Sequence, residues 1–318
     1  MNSEGARFIS SAFDNDLKAV KTFISNKIDV DSRDWDNVTA LIAASSKGHT
    51  GVVKYLVSNG ANVNLVDKDN ITALMEASLG GHKDVVQFLC DSRADVNAVS
   101  ITGVSALWLA ASEGHVQVAN HLLSKSADPS TKRSDGITAV MAGSAGGHSD
   151  VVKSLLKFGA DPNQKDKDGL TALISASENG SIPLVKALLD SKAEVDTISD
   201  SGFSPLIVAA AHGHQEVVKL LLEAGASIEL EHPESVSPLM YAAAGGYPEV
   251  VKLLLKKGAN VNRRHKQGGS ALMEAATSGN VTVINELLKA GADPLVIDDD
   301  GVTALMSSAS QGHTDVSK

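Results

Sequence analysis

A hydroxyl residue recurs every 33 positions without a break: Thr39, Thr72, Ser105, Thr138, Thr171, Ser204, Ser237, Ser270 and Thr303, each followed by Ala or Pro and then by Leu or Val. Self-similarity at a fixed interval of about 20–50 residues marks stacked supersecondary units, each too small to bury its apolar face alone. The chain is therefore expected to be a solenoid. Such an architecture announces a binding scaffold without announcing the partner.

Residues 166–198 show the unit. Asp166-Lys-Asp-Gly169-Leu-Thr171-Ala-Leu173 is followed by Ala176, Gly180, Leu184-Val185, Leu188-Leu189, Ala193 and Val195. Gly169 and its counterparts Gly103, Gly136, Gly202, Gly268 and Gly301 suit a turn that needs positive φ, and Asn37 and Asn70 are the next best residues there. The marker Thr or Ser can cap the helix that follows by accepting from a backbone N–H two or three residues on, with Ala or Pro at the first helical position. Gly48 and its eight equivalents end this short Ala-rich helix. Pairs such as Val85-Val86 with Leu89 then supply the periodicity of a second helix. Gly-Ala closes the second helix in five copies, while Arg93, Ser126 and Lys192 stand where the other copies have Gly.

These residues resemble the ankyrin-repeat family, whose consensus runs roughly Asp-x-x-Gly-x-Thr-Pro-Leu-His-x-Ala-Ala-x-x-Gly-His, then Val-Val-x-x-Leu-Leu-x-x-Gly-Ala-Asp-Val-Asn. In this register 1–33 is an atypical N-terminal capping repeat, 34–297 holds eight full repeats beginning at Asp34, Asp67, Ser100, Arg133, Asp166, Ser199, His232 and His265, and 298–318 is a truncated C-terminal repeat. The resemblance implies an all-α solenoid with short β-hairpin fingers, one finger and one antiparallel helix pair per unit, stacked into a curved superhelix with a concave binding face. It implies no chemistry. The eight prolines agree with it, because a proline in a helix interior costs roughly 3 kcal/mol and none falls in one. Pro205 and Pro238 open first helices, Pro183 and Pro248 open second helices, and Pro129, Pro162, Pro233 and Pro294 lie in the fingers.

One departure from the family pattern runs through the array. Where the consensus ends its Thr-Pro-Leu-His with histidine, the chain has Ile42, Met75, Trp108, Met141, Ile174, Ile207, Met240, Met273 and Met306. The family imidazole bonds its own capping Thr and ties neighbouring fingers, so an apolar replacement is expected to exchange polar tethers for packing between repeats. Met and Ile at helical spacing usually mean packing.

Composition excludes more than it selects. The net charge of −10, from 28 basic and 38 acidic residues, gives no nucleic-acid footprint. No apolar run approaches the roughly 18 residues of a membrane span, and Met1-Asn-Ser-Glu-Gly lacks the charged-then-apolar pattern of a leader. The single Cys90 cannot form an internal disulfide and reads as inert, so the cytoplasm or the nucleus is the expected location and a monomer the expected state. Six histidines, His49, His82, His115, His148, His214 and His313, follow the Gly between helices one per repeat, with no acidic or Cys partner at ligand spacing. They read as structural loop residues. The Asp-x-Asp runs at 67–69 and 166–168 are similar to calcium loops but lack the remaining ligands and the closing Glu. The glycines follow the repeat and do not form a phosphate cradle, and no nucleophile–base set is present. No metal, cofactor or enzymatic activity is therefore expected.

Function is then sought on the finger tips and first helices, at positions the fold does not need. The candidate partner-binding residues are Trp35, Val38, Lys68, Ile71, Ile101, Ile137 and Phe203 on fingers, with Trp108, His212 and Tyr241 on or beside first helices. Aromatic residues make up only 3 % of the chain, which singles out Trp35 and Phe203 as anchors of the kind interfaces favour. The alternative for each is burial against the next finger. Glu229, Glu231 and Glu234 lie one finger before Arg263, Arg264, His265 and Lys266, an alternation expected to be mutual compensation. Three functions follow: a protein-interaction scaffold or adaptor binding a protein or extended peptide; a recognition or regulatory domain of a larger enzyme or channel, suggested by an ending at Val316-Ser317-Lys318 where a second helix should begin; and an enzyme, disfavoured by the lack of clustered titratable groups.

Overall fold

Every marker hydroxyl caps a helix. In the computed structural model, which describes residues 3–230 and 234–315, Thr39 Oγ1 accepts from the Ile42 N–H, and the same bond to the third residue on recurs at 3.1–3.4 Å from Thr72 to Thr303. Glu231, His232, Pro233 and Val316-Ser317-Lys318 lie outside the described residues. The chain divides into two compact units, Met1–Lys167 and Asp168–Lys318.

In the first unit α1 (Ser3–Phe13) and α2 (Leu17–Ser25) form the opening helix pair. First helices α3 (Ala40–Ser46), α5 (Ala73–Leu79), α7 (Ala106–Ser112) and α9 (Ala139–Ala145) alternate with second helices α4 (Thr50–Ser58), α6 (Lys83–Asp91), α8 (Val116–Ser124) and α10 (Ser149–Lys157). First helices pack on first helices and second on second, which is solenoid stacking. The second unit repeats it: α11 (Ala172–Glu178), α13 (Pro205–Ala211), α15 (Pro238–Ala244), α17 (Ala271–Ser278) and α19 (Ala304–Ser310) form one row, and α12 (Ile182–Asp190), α14 (Gln215–Glu223), α16 (Pro248–Lys256) and α18 (Val281–Lys289) the other.

The core follows the helical period. Each second helix sinks an i, i+1, i+4 set, such as Val52, Val53 and Leu56 or Leu184, Val185 and Leu188, between its neighbours. Complete burial of one such side chain stabilises the fold by roughly 1.5–3 kcal/mol. The apolar stripe that replaces the family histidine is packed as expected at Ile42, Met75, Met141, Ile174, Ile207, Met240 and Met273. Trp108 is only half-buried and Met306 is exposed. Two of these methionines keep a trace of the lost polar contact, since the N–H groups of Thr138 and Ser237 point at the Met141 and Met240 Sδ atoms at 3.5 Å.

The loop histidines tether one repeat to the next. Five of them sit at the N-termini of second helices and His313 follows α19; each brings Nε2 to 2.8–3.0 Å from the carbonyl oxygen 36 residues earlier, as in His82 to Ser46, His148 to Ser112 and His214 to Glu178. A carbonyl only accepts, so the bond requires Nε2 to carry a proton. Asn280, at the same position in its repeat, instead donates from Nδ2 to Gly246 O, 34 residues earlier, at 3.0 Å. A second ladder runs through the turns after the second helices, where Asn64, Asn97 and Asn262 each accept from a backbone N–H of the next repeat at 2.8–2.9 Å.

The fingers are slighter than hairpins. Each described β pairing is a single antiparallel bridge, such as Arg33 with Thr39 or Val99 with Ser105. The expected turn residues do take positive φ, at Asn37 and Asn70 as well as at the glycines, and Ser235 joins them at 58° without having been singled out by its type. At the ends of second helices Arg93, Ser126 and Lys192 adopt φ of 65–69°, a region that costs a side-chain-bearing residue about 1–2 kcal/mol.

Candidate interaction surface

The aspartate that opens a finger closes its tip. Asp34 Oδ1 accepts from the N–H groups of Asp36 and Val38 at 2.9 and 2.8 Å, and Asp67 does the same for Asp69 and Ile71 at 2.8 Å each. Neighbouring tips are then joined through the backbone, Lys68 N–H to Asp36 O at 2.8 Å and Ile101 N–H to Asp69 O at 3.1 Å. Local sequence thus fixes which side chains the tips can project.

Two of the candidate binding residues stand clear. Trp35 is 84 % exposed and Ile101 is 63 % exposed, both on finger tips of the first unit. Val38, Ile71 and Ile137 are half-buried at the finger bases. Lys68 is exposed, but its ammonium holds Asp36 Oδ1 at 2.8 Å, which raises its pKa.

The remaining aromatic candidates are engaged. Trp108 lies under the Arg133 guanidinium, 5.0 Å from its ring centre, and Arg133 is held in place by Asp135 at 2.9 Å. The Trp108 Nε1 and Arg133 Nε atoms are both buried without a hydrogen-bond partner among the described residues. In the second unit Phe203 packs on Tyr241 with ring centres 5.7 Å apart and is half-buried, so the finger anchor expected there is turned toward its neighbour. Burial, and then the Glu274 carboxylate, push the Tyr241 hydroxyl upward in pKa. His212 is exposed; its Nδ1 lies 2.9 Å from Val208 O and its ring stacks on His214 at 5.9 Å.

The charge alternation resolves into pairs. Arg263 holds Glu229 at 2.7 Å and Lys266 holds Glu234 at 3.6 Å, as compensation requires, while Arg264 turns back to Gly268 O and Ile297 O. Glu231 is among the residues outside the description.

Sequence reasoning overlooked a cleft in the first unit. Between α1 and the first two fingers lies a hollow of about 390 Å³, walled by Phe13, Val38 and Ile42 and edged by the carboxylates of Asp34, Asp67 and Glu76. Ala6, Ile9, Ser10 and Phe13 of α1 form its side toward the opening helix pair. Burial, reinforced by the negative Asp67, raises the Glu76 carboxyl above the usual carboxylate range. Phe13 is 44 % exposed, with Lys47 Nζ 4.5 Å from its ring centre. Nothing local set Phe13 apart, because Phe8, Ile9 and Ala12 precede it in the same helix. Glu76 carried no signal either, because its position is filled by a different residue type in most repeats.

The Cys90 thiol is half-buried and burial pushes its pKa up to about 11, which makes it a poor nucleophile near neutrality. Among the described residues no group of three or more His, Cys, Asp or Glu side chains is placed to hold a metal ion, and no helix is long and apolar enough to cross a membrane. A family described as ankyrin repeats (3 copies) matches residues 8–100, 64–133, 94–166, 139–232 and 239–318. No curated protein matches the chain.

Proposed function

We propose, from the premise that this chain belongs to the ankyrin-repeat family, that it is a protein-interaction scaffold or adaptor whose working surface is made of finger tips and first helices. Ankyrin repeats are generally protein–protein interaction modules and typically non-catalytic. The observation that carries the finer reading is the exposure of Trp35 and Ile101 on tips whose backbones are fixed by hydrogen bonds to one another. A tryptophan held out on a rigid mount buries a large area on contact at little conformational cost, which is what interface anchors do.

The partner in this reading is a protein or an extended peptide met in the cytoplasm or nucleus, with the chain itself a monomer. Nucleic acid is disfavoured by the net charge of −10. Affinity capture with wild type and with Trp35→Ala, followed by titration of the captured partner, tests the assignment. Loss of about 2 kcal/mol of binding with an unchanged melting temperature supports it. Unchanged binding by Trp35→Ala and by Ile101→Ala would remove the finger tips from the interface.

A further inference from the structure

The cleft beside α1 differs from the rest of the array in its charge. Two of its three acidic residues are the first residue of a finger, Asp67, and the fourth residue of the helix that follows, Glu76. Six repeats on, the same two positions hold His265 and Glu274, which approach each other at 3.6 Å and answer one another within the protein. At Asp67 and Glu76 both members are acids, and Asp34 adds a third carboxylate from the preceding finger. Of the nearby cations, Lys68 is held by Asp36, and Lys47 lies over the Phe13 ring at the cleft's apolar wall and makes no ion pair among the described residues. Glu76 therefore sits half-buried beside a like charge with no ion-pair partner among the described residues, an arrangement that favours the arrival of a positive group from outside.

The opposite wall gives the second half of the recognition. Phe13, Val38 and Ile42 present carbon surface, and the hollow of about 390 Å³ accommodates a long side chain together with an apolar neighbour. Arginine and lysine suit such a place, because their methylene stems pack on carbon while the charged head reaches the carboxylates. We propose that this cleft receives a protein segment presenting one arginine or lysine next to an apolar residue, the cation meeting Glu76 and Asp67 and the apolar side chain meeting Phe13 and Val38. This rests on the interaction reading above and adds to it the chemistry of the partner and the place where it docks. Trp35, on the finger beside the cleft, would cover the segment as it leaves.

The test uses the full chain and a displayed library of random short peptides. Peptides enriched on wild type are synthesised and titrated by fluorescence anisotropy against wild type, Glu76→Gln, Ser10→Arg and Trp35→Ala. Glu76→Gln keeps the shape and removes the charge; Ser10→Arg places a guanidinium at the exposed rim of the same cleft. The expected result is enrichment of peptides with arginine or lysine beside an apolar residue, and weakening by about tenfold or more in both cleft variants with unchanged melting temperatures. Enrichment of peptides lacking a basic residue, binding by Glu76→Gln within about twofold of wild type, or no enrichment at all overturns the proposal. If Trp35→Ala weakens binding while the cleft variants do not, the docking inference fails and the scaffold reading stands. If none of the three variants weakens it, both fail.

Discussion

His148 brings its Nε2 atom to 3.0 Å from the carbonyl oxygen of Ser112, one repeat earlier, and its ring fills the space where Gly114 would carry a side chain. A methyl group on Gly114 would lie 2.6 Å from His148 Nδ1, and the residue has φ of 75°. Glycine and histidine are thus two halves of one joint between repeats. His148→Ala should lower stability by about 1 kcal/mol, the net value of a hydrogen bond. Gly114→Ala should cost at least about 1–2 kcal/mol from backbone strain. The double variant should recover the clash part, giving a coupling of about 0.5–3 kcal/mol in a urea-unfolding cycle. Strict additivity would show that the ring and the glycine do not constrain each other.

Arg93 and Lys192 occupy left-handed positions, at φ of 67° and 69°, where five equivalent turns have glycine and where an added Cβ at those glycines meets nothing within 4 Å. The strain there is conformational and not steric. Arg93→Gly and Lys192→Gly should each raise stability by about 0.5–1 kcal/mol, after the entropy of the freer unfolded chain is subtracted. Chemical denaturation at a fixed pH reads this as a rise in midpoint at constant slope, and a fall in midpoint would mean that these side chains hold contacts worth more than the strain.

Burial places the Cys90 thiol at about 11, so only about one molecule in a thousand is thiolate at pH 8. Alkylation by iodoacetamide under native conditions should be slow at pH 8 and should rise steadily toward pH 11. The same chain in denaturant should react with the profile of an ordinary thiol. A plateau near pH 8.5 in the native chain would contradict the burial argument.

How much of this was legible beforehand depends on sequence distance. The caps at Thr39 and its equivalents follow from a contact three residues long, and the positive φ of Asn37 follows from residue type alone; both were readable. The pairing of Arg133 with Trp108 was not, because it joins a finger to the helix of the preceding repeat across 25 positions, and its geometry depends on the direction of two long side chains. Phe203 shows the same limit, since its type and place on a finger fit either an outward anchor or burial against a neighbour. Its ring turns to Tyr241, one repeat further on, and that choice is made by packing, on which the local pattern is silent. Glu76 lay hidden because its importance comes from Asp67, nine residues earlier, and from α1, which only the fold brings to the same cleft.

Leu188 and Leu221 are wholly buried in second helices, whereas Trp35 stands out in solvent. Leu188→Ala or Leu221→Ala should therefore destabilise the chain by about 2–5 kcal/mol through lost packing and an unfilled cavity. Trp35→Ala should change stability by no more than about 0.5 kcal/mol. Thermal unfolding of the three variants side by side checks the separation, and a large loss of stability in Trp35→Ala would mark that residue as a packing element.

Hydrogen exchange of the chain with and without its captured partner tests the scaffold reading most directly, because it locates the contact without assuming any residue. Binding should slow exchange in the fingers around residues 34–38, 67–71 and 100–104 and in first helices α3, α5 and α7, and should leave second helices α4, α6 and α8 as they are in the free chain. Protection confined to those second helices, with the Trp35 and Ile101 fingers exchanging as before, would place the interface on the opposite side and contradict it.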